Sequence, residues 1–173
     1  MAKRKVASVA RLTGDSKAFF DILEEVSDLG VAVIGASFLD QCLGSFLESH
    51  LIKSAVSSRL LEPPGGLLSS LSTRADAAYA FDLLPKADFQ DIELIAQIRN
   101  LFAHNHIQVT FTDPEVVELC GRLSRHQPLV VALVKENGEM AARELFGATV
   151  VAISQILLSR SRMRRGRRGD GGA

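Results

Sequence analysis

The sequence predicts an all-α protein, one domain built as a bundle of about six to seven helices, and three observations predict it. Hydrophobic residues make up 47% of the 173 positions while aromatics make up 6%, with no Trp. Such an aliphatic interior packs helices better than a sandwich, which draws on aromatic and β-branched pairs. Apolar residues recur at three- and four-residue spacing through most of the chain. Finally, a chain of this length buries about two-thirds of its unfolded surface, so one core suffices. No repeat with a period of roughly 20–50 residues points to a solenoid.

The elements follow in order. Phe19, Ile22, Leu23 and Val26 form a helical stripe from Asp15 to Leu29, with Asp15 or Ser16 as N-cap and Gly30 as its end. From Val31 to about Leu51 a broad stripe includes Ile34, Phe38, Leu39, Cys42, Phe46 and Leu47, interrupted by Gly35, Ala36 and Gly44. Small residues let neighbours approach, so this helix is expected to be central. A weaker amphipathic segment spans Ile52 to Leu61 and stops at Pro63-Pro64-Gly65-Gly66. Ala75, Ala78, Tyr79 and Leu83 then mark a helix from about Ser70 to Leu84, ended by Pro85. Lys86 to His104 is the most regular amphipathic stretch.

Residues 107–112 alternate apolar and polar, an extended link. Asp113-Pro114 reads as an N-cap followed by Pro at the first helical position, opening a helix to about Arg125. The run 128–134 is apolar and fits helix or strand; Asn137-Gly138 is a turn; Glu139 to about Arg160 is the last long helix. The domain therefore spans 12–160, flanked by a basic extension 1–11 and an Arg/Gly-rich tail 161–173 with little to bury, expected to be disordered.

The formal charge of zero hides a segregation. Residues 12–159 hold ten basic and nineteen acidic side chains, a net of −9, and the two ends carry +9. Lys3, Arg4 and Lys5 in front, and Arg160, Arg162, Arg164, Arg165, Arg167 and Arg168 behind, are the candidate nucleic-acid contacts, because an acidic body repels phosphate and the ends attract it. Asp82, Asp88, Asp91 and Glu93 read as a solvated acidic face or a docking surface for a basic protein.

Cys42 and Cys120 lie in apolar patterns and read as buried free thiols. No metal site is expected, since His104 and His106 lack a carboxylate or thiol companion, and no cofactor motif is present. The basic start lacks the apolar run of a signal peptide. The apolar stretches 29–39 and 145–158 fall short of the ~20 residues that span a bilayer. A cytoplasmic protein with no membrane contact is the expectation.

The densest chemistry is Arg99-Asn100-Leu101-Phe102-Ala103-His104. On a helix Asn100 and His104 share a face, while Arg99 and His104 point about 140° apart, so joint action requires a swung Arg or a second subunit. An Arg fork binds phosphate, and a His moves protons near neutral pH, which suffices for metal-free RNA cleavage. The alternative is structural: Arg99 pairing with carbonyls or carboxylates, with Asn100 and His104 satisfying backbone at the helix end.

Four blocks carry a family likeness: Val31 to Asp40; Leu67 to Arg74, leading into Ala78-Tyr79-Ala80; Ile98 to His104; and Phe111-Thr112-Asp113. In this order and spacing the chain resembles the mannitol operon repressor family of bacterial regulators over most of its length. The resemblance implies an all-helical transcriptional regulator unlike helix-turn-helix repressors, with Arg74, Tyr79, Arg99, Asn100 and His104 as motif residues. The chain departs at Leu71, where the family tends to have Phe, near Asp82, where it tends to have Gly, and in its tail. The Arg99, Asn100 and His104 string also resembles the signature of the HEPN superfamily, which contains ribonuclease toxins and non-cleaving members.

The expected function is repression of carbohydrate genes, mannitol genes by the resemblance, through a regulatory partner protein or weak operator DNA contact, with a homodimer possible. The protein is not expected to be an enzyme. A HEPN-like ribonuclease using Arg99, Asn100 and His104, or a helical adaptor, is the alternative.

Overall fold

The structure is a computed structural model. The described residues are 23, 25–62, 65–104, 109–124 and 141–169, with backbone alone in 167–169. Among them are six helices and no strand: α1 Asp28–His50, α2 Ala55–Leu61, α3 Leu71–Ala80, α4 Lys86–His104, α5 Pro114–Gly121 and α6 Ala142–Gly169. The expected helix 15–29 and the segment 128–138 lie largely or wholly outside the described residues.

The central element is α1, buried on most of its circumference by Val31, Ala32, Ala36, Leu39, Cys42, Leu43 and Phe46. It starts earlier than its sequence pattern predicts. Ser27 caps it, accepting from Gly30 N at 3.2 Å, and Asp28 sits where the helix dipole favours an anion. Gly30 is thus inside the helix rather than its predecessor's end. A Cβ there would lie 2.9 Å from Val26 Cβ, so the glycine serves close approach of the incoming chain.

The most extensive packing is α1 on α6, where Phe146 and Val150 lie against Gly35. Each large side chain buried in this seam contributes about 1.5–3 kcal/mol of apolar transfer. On the other side α4 delivers Ile92, Ile95, Ile98 and Phe102, and α3 delivers Ala75 and Ala78. Phe111 closes the layer, its ring centroid 4.9 Å from Phe102 and 5.4 Å from Phe146.

By length and composition α1 and α6, the latter through Gly166, could each cross a membrane, which their interrupted apolar stretches did not predict. Half of the α1 window and 61% of the α6 window are buried inside this protein, much of that against each other.

Ser70 and Thr73 form a reciprocal capping box at the start of α3. That helix ends at Ala80, short of the predicted Leu84, because Asp82 takes φ 55°, a left-handed conformation that ends helical bonding. Asp113 precedes Pro114 as predicted, but its carboxylate turns back to the backbone and hydroxyl of Thr110 instead of capping α5.

The acidic face predicted from Asp82, Asp88, Asp91 and Glu93 is not a face. Asp88 and Asp91 are buried, and Asp91 accepts from the backbone N–H and hydroxyl of Ser124, tying α4 to the residues after α5. A second tie joins Asp28 to Arg143 and to Phe111 N, while Arg143 also donates to Leu23 O and Val26 O.

The last helix also outruns its predicted end. Residues 161–169, expected to lack structure, continue α6, and 170–173 lie outside the described residues. Arg is a good helix former. The extension is also held: buried Ser161 donates to Ser45 O at 3.0 Å, and Arg165 meets Glu48 at 2.8 Å.

Candidate functional site

The polar centre of the structure is built around Arg74. Its Nε donates to Leu68 O at 2.8 Å, Nη2 to Leu61 O at 3.0 Å, and Nη1 to Asp40 O at 3.1 Å. The same Nη1 lies 2.7 Å from Asp40 Oδ1. One planar fork therefore gathers α1, the end of α2 and the loop leading to α3, a geometry an ammonium cannot reproduce.

Two glycines make room for it. A Cβ on Gly44 would lie 3.1 Å from Arg74 Cζ, so the guanidinium rests on bare backbone of α1. A Cβ on Gly66 would meet Leu60 O at 2.4 Å and Arg59 O at 2.6 Å, which is incompatible with the loop folded onto α2. That loop is locked by Gly66 N to Glu62 O and Leu68 N to Leu60 O, at 2.9 and 2.8 Å.

Because α2 touches α1 only lightly, a cleft of about 1000 Å³ opens between α1, α2 and α6, with Arg74 in its lining. Its walls carry Asp40, Glu48 and Glu62 together with Lys53, Arg162 and Arg165, and numerous serines. Sequence reasoning missed this cleft. Its only advance signal was Arg74, an arginine inside a helical pattern otherwise lined with alanine.

The motif residues are dispersed. Tyr79 is half-exposed and stacks on Phe89, centroids 4.6 Å apart and rings 11° from parallel. Arg99 and Asn100 are exposed on α4, with Arg99 Nη1 donating to Asn100 Oδ1 at 3.0 Å. His104, also exposed, ends the helix, and none of these three lines the cleft. The structure thus pairs Arg99 with its chain neighbour and leaves all three side chains exposed outside the cleft.

Of the candidate nucleic-acid residues, Lys3, Arg4 and Lys5 lie outside the described residues. Arg160 is half-buried, and Arg162, Arg164 and Arg165 are exposed along the end of α6, which continues through Arg167 and Arg168.

Both cysteines are free and buried. Burial pushes the Cys42 thiol up to about 12, opposed in part by the Ser154 hydroxyl, and burial alone pushes Cys120 up to about 12. Neither is a nucleophile at neutral pH. Among the described residues no group of three His, Cys, Asp or Glu side chains could hold a metal ion.

No match to a curated protein or to a solved structure is found. A family model described as the mannitol repressor matches residues 39–163, a span that includes Asp40, Arg74, the α4 motif and most of α6. With an all-helical bundle and a match over more than half its length, the chain belongs to the mannitol repressor family.

Proposed function

We propose that the protein is a repressor-type regulator of carbohydrate utilisation genes, mannitol genes in particular, working through a partner protein or through weak operator contact at its basic ends. The observation that carries the DNA arm is the end of α6. There Arg162, Arg164 and Arg165 are exposed on a helix rooted in the core and continuing to Gly169. A rooted basic helix loses less entropy on meeting phosphate than a loose tail would. A cytoplasmic location follows from such a role.

The ribonuclease reading of Arg99, Asn100 and His104 draws no comparable support, since these side chains are exposed and outside the cleft. The acidic docking face also loses its basis with Asp88 and Asp91 buried.

The test is a gel-shift titration of promoter DNA from carbohydrate operons at low salt. It compares the full chain with a variant in which Arg160, Arg164, Arg167 and Arg168 become Gln. Direct contact predicts binding whose salt dependence flattens in the variant, by a slope of up to about 4. Indifference of both proteins to DNA rejects the DNA arm and leaves repression to a partner protein.

A further inference from the structure

We infer that the cleft between α1, α2 and α6 is a binding site for a small neutral polyhydroxylated molecule, a sugar alcohol or a monosaccharide. The argument starts from its lining. Ser45, Ser54, Ser57, Ser58, Ser69 and Ser161 supply hydroxyls among apolar surface, to which Cys42, Ile52, Leu61 and Leu158 contribute whole apolar side chains. An apolar ligand would strip water from these polar groups and return no hydrogen bonds, which is costly.

A multiply charged anion fits no better. Among the cations of the lining Arg74 is matched by Asp40 and Arg165 by Glu48, and Glu62 adds a further negative charge. What remains is a mixed surface of hydroxyls, carboxylates and cationic donors. A polyol hydroxyl both donates and accepts, so it can donate to Glu62 or Asp40 and accept from Lys53 or a serine in one pose. The volume of about 1000 Å³ stands at the upper end of ordinary small-molecule sites.

The floor is preorganised. Arg74 fixes Asp40 and the ends of α2 and its following loop, while Ser54 holds Ser57 through Oγ–Oγ contact at 3.0 Å and accepts from Ser57 N at 3.2 Å. Ser161 is spoken for by Ser45 O, while Ser58 lines the cleft from an exposed position on α2. The inference rests on the cleft alone. Because binding is read without DNA, it fails or stands separately from the regulatory reading.

The test is isothermal titration of the full chain with mannitol, glucitol, glucose, mannitol 1-phosphate and inorganic phosphate. It is repeated on Ser58→Trp, which sets a bulky ring in the cleft lining from an exposed helical position, on Glu62→Gln, and on Arg99→Ala as a control. The expected result is saturable binding of a neutral polyol, weakened at least about tenfold by Ser58→Trp and by Glu62→Gln and unchanged by Arg99→Ala, a tenfold loss being one decade in Kd. Unfolding midpoints without ligand should match for all four proteins. Three results overturn the inference: no binding of any neutral polyol, binding only of the phosphate probes, or polyol binding that survives Ser58→Trp undiminished.

Discussion

Two arginines in this chain stand in recognisable motifs, and their surroundings could hardly differ more. Arg74 has a side chain 9% exposed, three backbone carbonyls and a carboxylate. Arg99 is exposed and donates to the side chain of Asn100 beside it in the chain. The difference teaches that a string of chemically suggestive residues does not make a site. Arg74 organises structure because α1, α2 and α3 converge on it, whereas Arg99 lies where α4 faces solvent.

The comparison breaks first if Arg74 can be replaced cheaply. Arg74→Lys keeps the charge but loses the fork, stranding carbonyls that had charge-assisted bonds, so thermal unfolding should show a loss of about 2–3 kcal/mol. Helix α4 carries the same contrast within itself. Asp91, buried two turns before Arg99, holds Ser124 through two hydrogen bonds. Asp91→Ala should therefore cost about 2 kcal/mol in urea unfolding and loosen amide protection after α5.

The buried thiols sharpen the picture of the core by pH. Raised in the folded state from 9.0 to about 12, Cys42 and Cys120 contribute stability that is fully present below pH 9 and is lost as pH rises through the folded value. Melting temperature should fall above pH 9, and less so in a Cys42→Ala, Cys120→Ala variant measured against its own neutral value. Native protein should leave both thiols unmodified by a disulfide reagent at pH 8, with reaction after unfolding. The smallest expected change is a gain. Asp82 sits at φ 55°, so Asp82→Gly should stabilise by about 0.5 kcal/mol in a thermal melt.

Much of this was legible in the sequence. The period of apolar residues located α4 from Lys86 to His104 and the centrality of α1, because those patterns are long and locally consistent. The glycines of α1 were read as points of close approach, and Gly35 meets Phe146 while Gly44 meets Arg74. Boundaries were less legible where tertiary contacts set them. Gly30 looks like a terminator until Ser27 is seen to cap beyond it, and the Arg-rich end of α6 looks solvated until Ser161 is seen to dock on Ser45.

The site was the least legible part. Asp88 and Asp91 carry the same letter as Asp82, yet two are buried and one is exposed, and only the packing of α4 decides which. The cleft has no linear signature, since its walls join α1 and α2 to α6 near the other end of the sequence. Periodicity cannot report a gap between helices.

The most direct test of the contrast between the two arginines is equilibrium urea unfolding of Arg74→Met and Arg99→Met beside the unaltered chain. Arg74→Met leaves Asp40 and three carbonyls without their donor and should lose about 3 kcal/mol, while Arg99→Met should stay within about 0.5 kcal/mol. Equal midpoints for the two variants, or a larger loss at Arg99, would contradict the account.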